Sequence, residues 1–259
     1  ISGNGSGNYL GSRLGLRATE DLGAGNKAGF VYEMGLNLTT DGSAGTDTVQ
    51  QKGYTAISNV RQGYVYLENG GMGRLSVGTQ YSPVDASGGA TASLSAHGGI
   101  NHLQGAATLL KLGQMPRFAN AVMYTSPTYS GLTLRALWNA SEQVSQDGTS
   151  PAGKGGNATS FGLDYVAGNF KGGIATEKMD HVVSTTAALA TYTGTGVTTL
   201  VAFPAATGPT SNTYTVATAN YDFGIANVGL QHADYKMSPT AGGAGEVKHG
   251  VNMLSATIP

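Results

Sequence analysis

The chain has no cysteine, little charge and no long apolar run, and each absence removes a class of protein. With no cysteine among 259 residues, disulfide scaffolds and thiolate metal centres are excluded. Lys, Arg, Asp and Glu make up 11% of the chain, against about 25% in an average soluble protein. A soluble domain of this size covers itself with charge, so much of this exterior is built for something other than water. Lys and Arg number 14 and Asp and Glu 15, for a net charge of −1. No basic cluster stands out, so nucleic acid is not expected as a partner. No stretch of 18 apolar residues occurs, which excludes a transmembrane helix. A membrane-spanning form must then be a closed β-barrel, because in lipid every backbone N–H and C=O has to be paired. The chain opens at Ile1 without the charged and apolar regions of a secretion signal, so the expectation is a mature or an incomplete form.

Signatures of catalysis are also missing. There is no H-E-x-x-H and no G-x-S-x-G. The Gly-x-Gly stretches at Gly3–Gly7 and Gly23–Gly25 lack the following helix that a dinucleotide site needs. His97 and His102 lie in a segment whose only acidic residue is Asp85, too few ligands for a metal centre. Neither an enzyme nor a cofactor is expected.

What the chain does have is glycine, 41 residues or about twice the usual share, and alternation. In SRLGLRATEDL, residues 12–22, Leu14, Leu16 and Ala18 share one parity, while Arg13, Gly15, Arg17, Thr19 and Asp21 share the other. Period two means the opposite faces of a β-strand, one apolar and one charged. In KAGFVYEMGLNL, residues 27–38, Ala28, Phe30, Tyr32 and Met34 fall on one face and Glu33 and Asn37 on the other. Leu132, Leu134, Ala136 and Trp138 alternate with Thr133 and Arg135 in the same way. A walk along the chain counts eleven such strands, joined in turn by tight Gly/Asn links and by long polar ones. The longest of these are 82–116, with a helical turn or two expected near Ala106–Leu112, and 183–211. Short links alternating with long ones is the asymmetry of an up-and-down outer-membrane barrel. Tyr32, Tyr124, Tyr129 and Tyr165 lie near strand ends, where an interfacial girdle would place them. A secreted β-sandwich shares the alternation, although it would carry closer turns and a charged exterior.

Three blocks carry a resemblance. SRLGLRATEDLGAGNKAGFVYE, RQGYVYLENGGMGRLSVGTQYSP and NAVMYTSPTYSGLTLRALW are similar to successive blocks of the general trimeric porins of Gram-negative bacteria, of the β-proteobacterial and Neisserial type. The resemblance implies an all-β transmembrane barrel of sixteen antiparallel strands. About eleven lie in this chain as a single domain over 1–259, with the first and last strands missing. It implies a passive channel for small hydrophilic solutes and inorganic ions, embedded in outer-membrane lipid and assembled as a homotrimer. It implies that segment 82–116 folds into the barrel as a constriction loop. Opposite that loop, the wall arginines of anion-preferring members match Arg13, Arg61 and Arg117. Arg61 shares parity with the apolar Val65 and Leu67, so an irregular strand end is needed to turn it inward. Arg17, Glu33, Asp85, Lys111 and Arg135 complete the expected set of pore-lining charges. Thr79 and Met123 stand where many relatives carry arginine, which leaves a weak expected preference for anions. A substrate-specific barrel channel would differ from a general porin only in this constriction.

Overall fold

The computed structural model describes residues 13–36, 57–89, 117–139, 157–183, 189–194, 197–202, 209–239 and 246–258. Alternation drives the architecture. Eleven strands form one antiparallel sheet: β1 (Arg13–Gly23), β2 (Asn26–Leu36), β3 (Ile57–Asn69), β4 (Gly73–Tyr81), β5 (Arg117–Thr125), β6 (Leu132–Asn139), β7 (Ala158–Ala167), β8 (Phe170–Val183), β11 (Pro209–Asp222), β12 (Asn227–Pro239) and β13 (Val247–Thr257). Each pairs with its neighbours in this order, and most run to the length of about 9–11 residues that a tilted strand needs to cross a bilayer. The sheet is a barrel wall that remains open between β1 and β13.

One device closes three of the short turns. The side chain of Asp21 accepts from the N–H of Gly23 at 2.8 Å, that of Asn69 from Gly71 at 2.9 Å, and that of Asp222 from Gly224 at 2.8 Å. An Asx side chain that binds the backbone two residues on pre-shapes a turn. In the first turn Gly23, Ala24 and Gly25 all have positive φ, at 82°, 50° and 77°, a run that glycine-rich sequence makes cheap.

One expectation needs correction. Segment 183–211, read as a link, holds a separate two-stranded hairpin, β9 (Leu189–Gly194) with β10 (Val197–Ala202), so the chain has thirteen strands among its described residues. Its Thr, Val, Leu and Tyr content favours strand, but its Thr/Ala richness reads as loop. The helical turn expected near Ala106–Leu112 lies outside the described residues. A helix does open the same segment, α1 (Pro83–Gly89). Its signal was present in the sequence: Ser82 accepts from the N–H of Asp85 at 3.2 Å as an N-cap, and proline follows at the first helical position.

The two faces of the sheet invert the usual soluble pattern. Leu16, Phe30, Val65, Leu134 and Leu163 are exposed on one face, whereas Ser160, Glu177, Asn212 and Gln231 are buried on the other. A large exposed apolar surface with polar groups enclosed behind it is what a membrane barrel requires. The helix α1 packs on the inner face, against β7, β8 and β11, with Val84 fully buried. An apolar cluster of Phe118, Ala121, Leu137, Ala158 and Met179, flanked by Met123, lines part of that face.

Candidate functional site

The inner face carries its charge in two groups. The first is built by an irregularity. Between β2 and β3 the register runs Glu33 opposite Gln62, then Met34 opposite Val60, which leaves Arg61 as one extra residue. Such a bulge re-aims a side chain. Regular pairing would send Arg61 outward with Val65 and Leu67. Instead its Nε donates to Oε1 of Glu33 at 2.9 Å, and its Nη2 donates to the hydroxyl of Tyr81 at 2.8 Å. Arg13, on the inward parity of β1, brings Nη1 to 3.6 Å from the same Glu33 oxygen.

Tyr81 extends the group toward β5. It stands opposite Arg117 at the β4–β5 border, and the Arg117 guanidinium lies 5.8 Å from the centre of the Tyr81 ring. The Nε and Nη1 atoms of Arg117 are buried with no hydrogen-bond partner among the described residues. Asp85, in the first turn of α1, has its carboxyl pushed up to about 6 by removal from water, an effect opposed by Arg117 and Arg61. Three guanidinium groups and the carboxyls of Glu33 and Asp85 thus meet at this level, with a third carboxyl, Glu177, beside Asp85.

The second group lies at the short-turn end. Register places Asp21 opposite Lys27, Lys27 opposite Glu68, and Glu68 opposite Arg74, an alternation of sign across four strands. Arg74 pairs with Glu68, its Nε donating to Oε2 at 2.6 Å, and stacks 4.3 Å from the centre of the Tyr66 ring. Arg135 belongs here, ion-paired with Asp164. It stands opposite Thr125, at the far end of β5 from Arg117, a separation of about 25 Å by strand rise.

Of the residues expected to line a constriction, the structure thus brings together Arg13, Arg61, Arg117, Glu33 and Asp85. Arg17 lies on the same face, exposed, and farther along β1 toward the short turn. Arg135 is remote from the group, and Lys111 lies outside the described residues. Sequence reading missed Tyr81, the hydroxyl and ring that link two arginines. It also missed Glu177, fully buried on β8 near Ser82 and Asp85. Its inward parity in FKGGIATEKMDH was the available signal. Tyr32, Tyr124, Tyr129 and Tyr165 are all exposed on the described surface. Tyr124 and Tyr129 donate to the backbone carbonyls of Met72 and Gly71.

A family model describing Gram-negative porins matches residues 2–253. Among solved structures, an anion-selective porin from Comamonas acidovorans superposes with a TM-score of 0.62 at 19% identity, over 97% of this chain and 65% of its own. OmpT of Vibrio cholerae, an outer-membrane protein solved without its loop L8, gives 0.61 at 14% identity, over 95% of this chain and 68% of its own. The trimer form of OmpT gives 0.58 at 13% identity, over 95% and 64%. The chain spans about two thirds of the length of these structures. No curated protein sequence matches it. The structural likeness shows the barrel fold, and the family match extends over almost the whole sequence. The chain belongs to the Gram-negative porin family, whose place is the bacterial outer membrane.

Proposed function

We propose that this protein forms a passive, water-filled channel for small hydrophilic solutes and ions, with Arg13, Arg61 and Arg117 as a positive strip that tilts permeation toward anions. The observation that carries this reading is the bulge at Arg61. It converts an outward position into an inward one and joins three strands' worth of arginine through Glu33 and Tyr81. A wide aqueous bore spares a polar solute the cost of dehydration, and fixed charge at a narrow level biases which ions enter. Segment 82–116 is the constriction element, its helix α1 seated on the inner wall at β7, β8 and β11. The strip lies on β1, β3 and β5, with Arg61 and Arg117 close enough to Asp85 of α1 to act on its charge. No chemical step and no energy source are involved.

Glu33 and Asp85 offset part of the strip, so the preference is weak rather than exclusive. The likeness to an anion-selective porin supports the sign, and a trimeric relative supports a homotrimer with one pore per subunit. The subunit contact falls on the strands near β1, whose outward rows are apolar and exposed at Leu14, Leu16 and Phe30. Reconstitution of the full-length protein in planar bilayers tests this reading. Conductance steps are expected in groups of three, with a zero-current potential of anionic sign. Solitary steps of unrelated size would count against the trimer, and a cationic sign against the strip.

A further inference from the structure

Between the arginine strip and the short turns, the inner wall carries side chains that the passage of simple ions does not call for. Arg17 stands opposite Val31 and Val31 opposite Tyr64, one row across β1, β2 and β3 on the parity of Arg13 and Glu33. Two strand spacings, roughly 10 Å, separate the backbones of Arg17 and Tyr64. The half-buried Val31 lies between the cation and the ring. The next row toward the short turns is Thr19, Gly29 and Tyr66, with the Tyr66 hydroxyl bonded to Thr19 at 2.5 Å.

The carboxylates on either side of this row are already engaged. Glu33 accepts from Arg61, and Glu68 accepts from Arg74, whose guanidinium also stacks on Tyr66. Arg17, exposed between them, has no hydrogen bond or ion pair among the described residues. Its guanidinium is a planar fork of N–H donors that matches a carboxylate. The Tyr64 ring is tilted 51° to that of Tyr66, with centroids 6.4 Å apart, and its hydroxyl has no partner among the described residues. Rings attract in such tilted pairs, and a third ring can extend the series. A bare inorganic anion engages only Arg17; an anion that carries a ring engages the whole row.

Resting on the channel reading above, we propose that this row is a subsite for aromatic carboxylates. Arg17 takes the carboxylate, Val31 supports the ring, and Tyr64 packs against it. The ladder runs without a bulge at this level, so the spacing of the three side chains is set by regular pairing. An anion drawn past Arg13, Arg61 and Arg117 meets the row next, on the short-turn side.

The test measures chloride current through the full-length protein in planar bilayers as sodium benzoate, cyclohexanecarboxylate or acetate is added. Benzoate should reach half-block at a concentration about tenfold below that of acetate. It should also act below cyclohexanecarboxylate, which has the charge and bulk without the aromatic ring. Tyr64→Leu should erase the advantage of benzoate over cyclohexanecarboxylate, and Arg17→Gln should weaken block by both. Tyr165→Leu, opposite Leu132 on the outward face, should leave the order of the three anions intact. Equal block by benzoate and either other carboxylate, in channels that carry chloride, would overturn the subsite and leave the channel reading standing. Block by benzoate that is undiminished in Tyr64→Leu would do the same, as would undiminished block in Arg17→Gln if the tyrosine variant fails to fold. A folded protein that never carries chloride current would overturn both.

Discussion

Arg61 reaches Glu33 across a β-bulge, Nε to Oε1 at 2.9 Å, and Arg13 approaches the same oxygen at 3.6 Å. One carboxylate thus restrains two arginines. Glu33→Gln keeps an acceptor for Arg61 and removes one negative charge. In a salt gradient the zero-current potential should move toward anions, with the anion-to-cation permeability ratio rising about twofold in dilute salt. The effect should fade at high salt, where screening acts within about 3 Å at molar strength. An unchanged potential would show that Glu33 is outside the permeation path.

On the proposed channel reading, Asp85 should confer a pH dependence with a definite sign. Its carboxyl, raised to about 6 by burial against the pull of Arg117 and Arg61, is ionised above that pH and neutral below it. Acidification from pH 7.5 to 5 therefore removes a negative charge beside the arginines, and anion preference should increase over that window. Asp85→Asn should show the acid-side selectivity at both pH values. A wild-type selectivity that stays flat across the window would mean that Asp85 does not sense the permeating ions.

The face assignment is testable at adjacent residues. Leu16 is 61% exposed on the outward face, while the neighbouring Gly15 faces inward beside Glu33. Leu16→Arg should cost roughly 2–4 kcal/mol at mid-bilayer depth. Gly15→Arg should be much milder for folding, since a Cβ at Gly15 meets nothing closer than 3.4 Å. Urea titration in lipid vesicles measures both. Equal losses would contradict the face assignment of β1.

Gly29 has a different reason to be glycine. The Tyr66 ring lies over it and hydrogen-bonds Thr19 at 2.5 Å, so a Cβ would collide with Tyr66 and with the carbonyl oxygen of Ala18. Gly29→Ala should cost about 1–3 kcal/mol by overpacking. Because Arg74 stacks on Tyr66, the variant should also loosen the short-turn charge belt, while leaving selectivity, set at the other end, nearly unchanged. A lowered temperature for heat-modified migration, with an unaltered zero-current potential, is the expected outcome.

The eleven strands of the wall were legible because alternation is a local signal: Leu14 and Leu16 against Arg13 and Gly15 declare their faces without any knowledge of their neighbours. The hairpin β9–β10 was not, since its Thr/Ala-rich sequence lacks a charged face to set against an apolar one. Arg61 marks the boundary of such reading. Its parity pointed outward, and only the register between β2 and β3 shows the extra residue that turns it. The pairing of Arg135 with Asp164 was hidden for a related reason, because a contact across 29 residues depends on which strands lie side by side. Tyr81 drew no notice, because a tyrosine at a strand end reads as girdle until its hydroxyl is seen on an arginine.

The claim that Arg13, Arg61 and Arg117 set the permeation path is tested most directly by replacing all three with serine and measuring the zero-current potential of the folded protein across a dilute salt gradient. The account predicts a shift toward cations together with a higher single-channel conductance, as charge and bulk leave the narrow level, whereas Glu20→Gln, next to the tight turn, should leave the potential in place. An unchanged potential in a triple variant that still forms channels would contradict it.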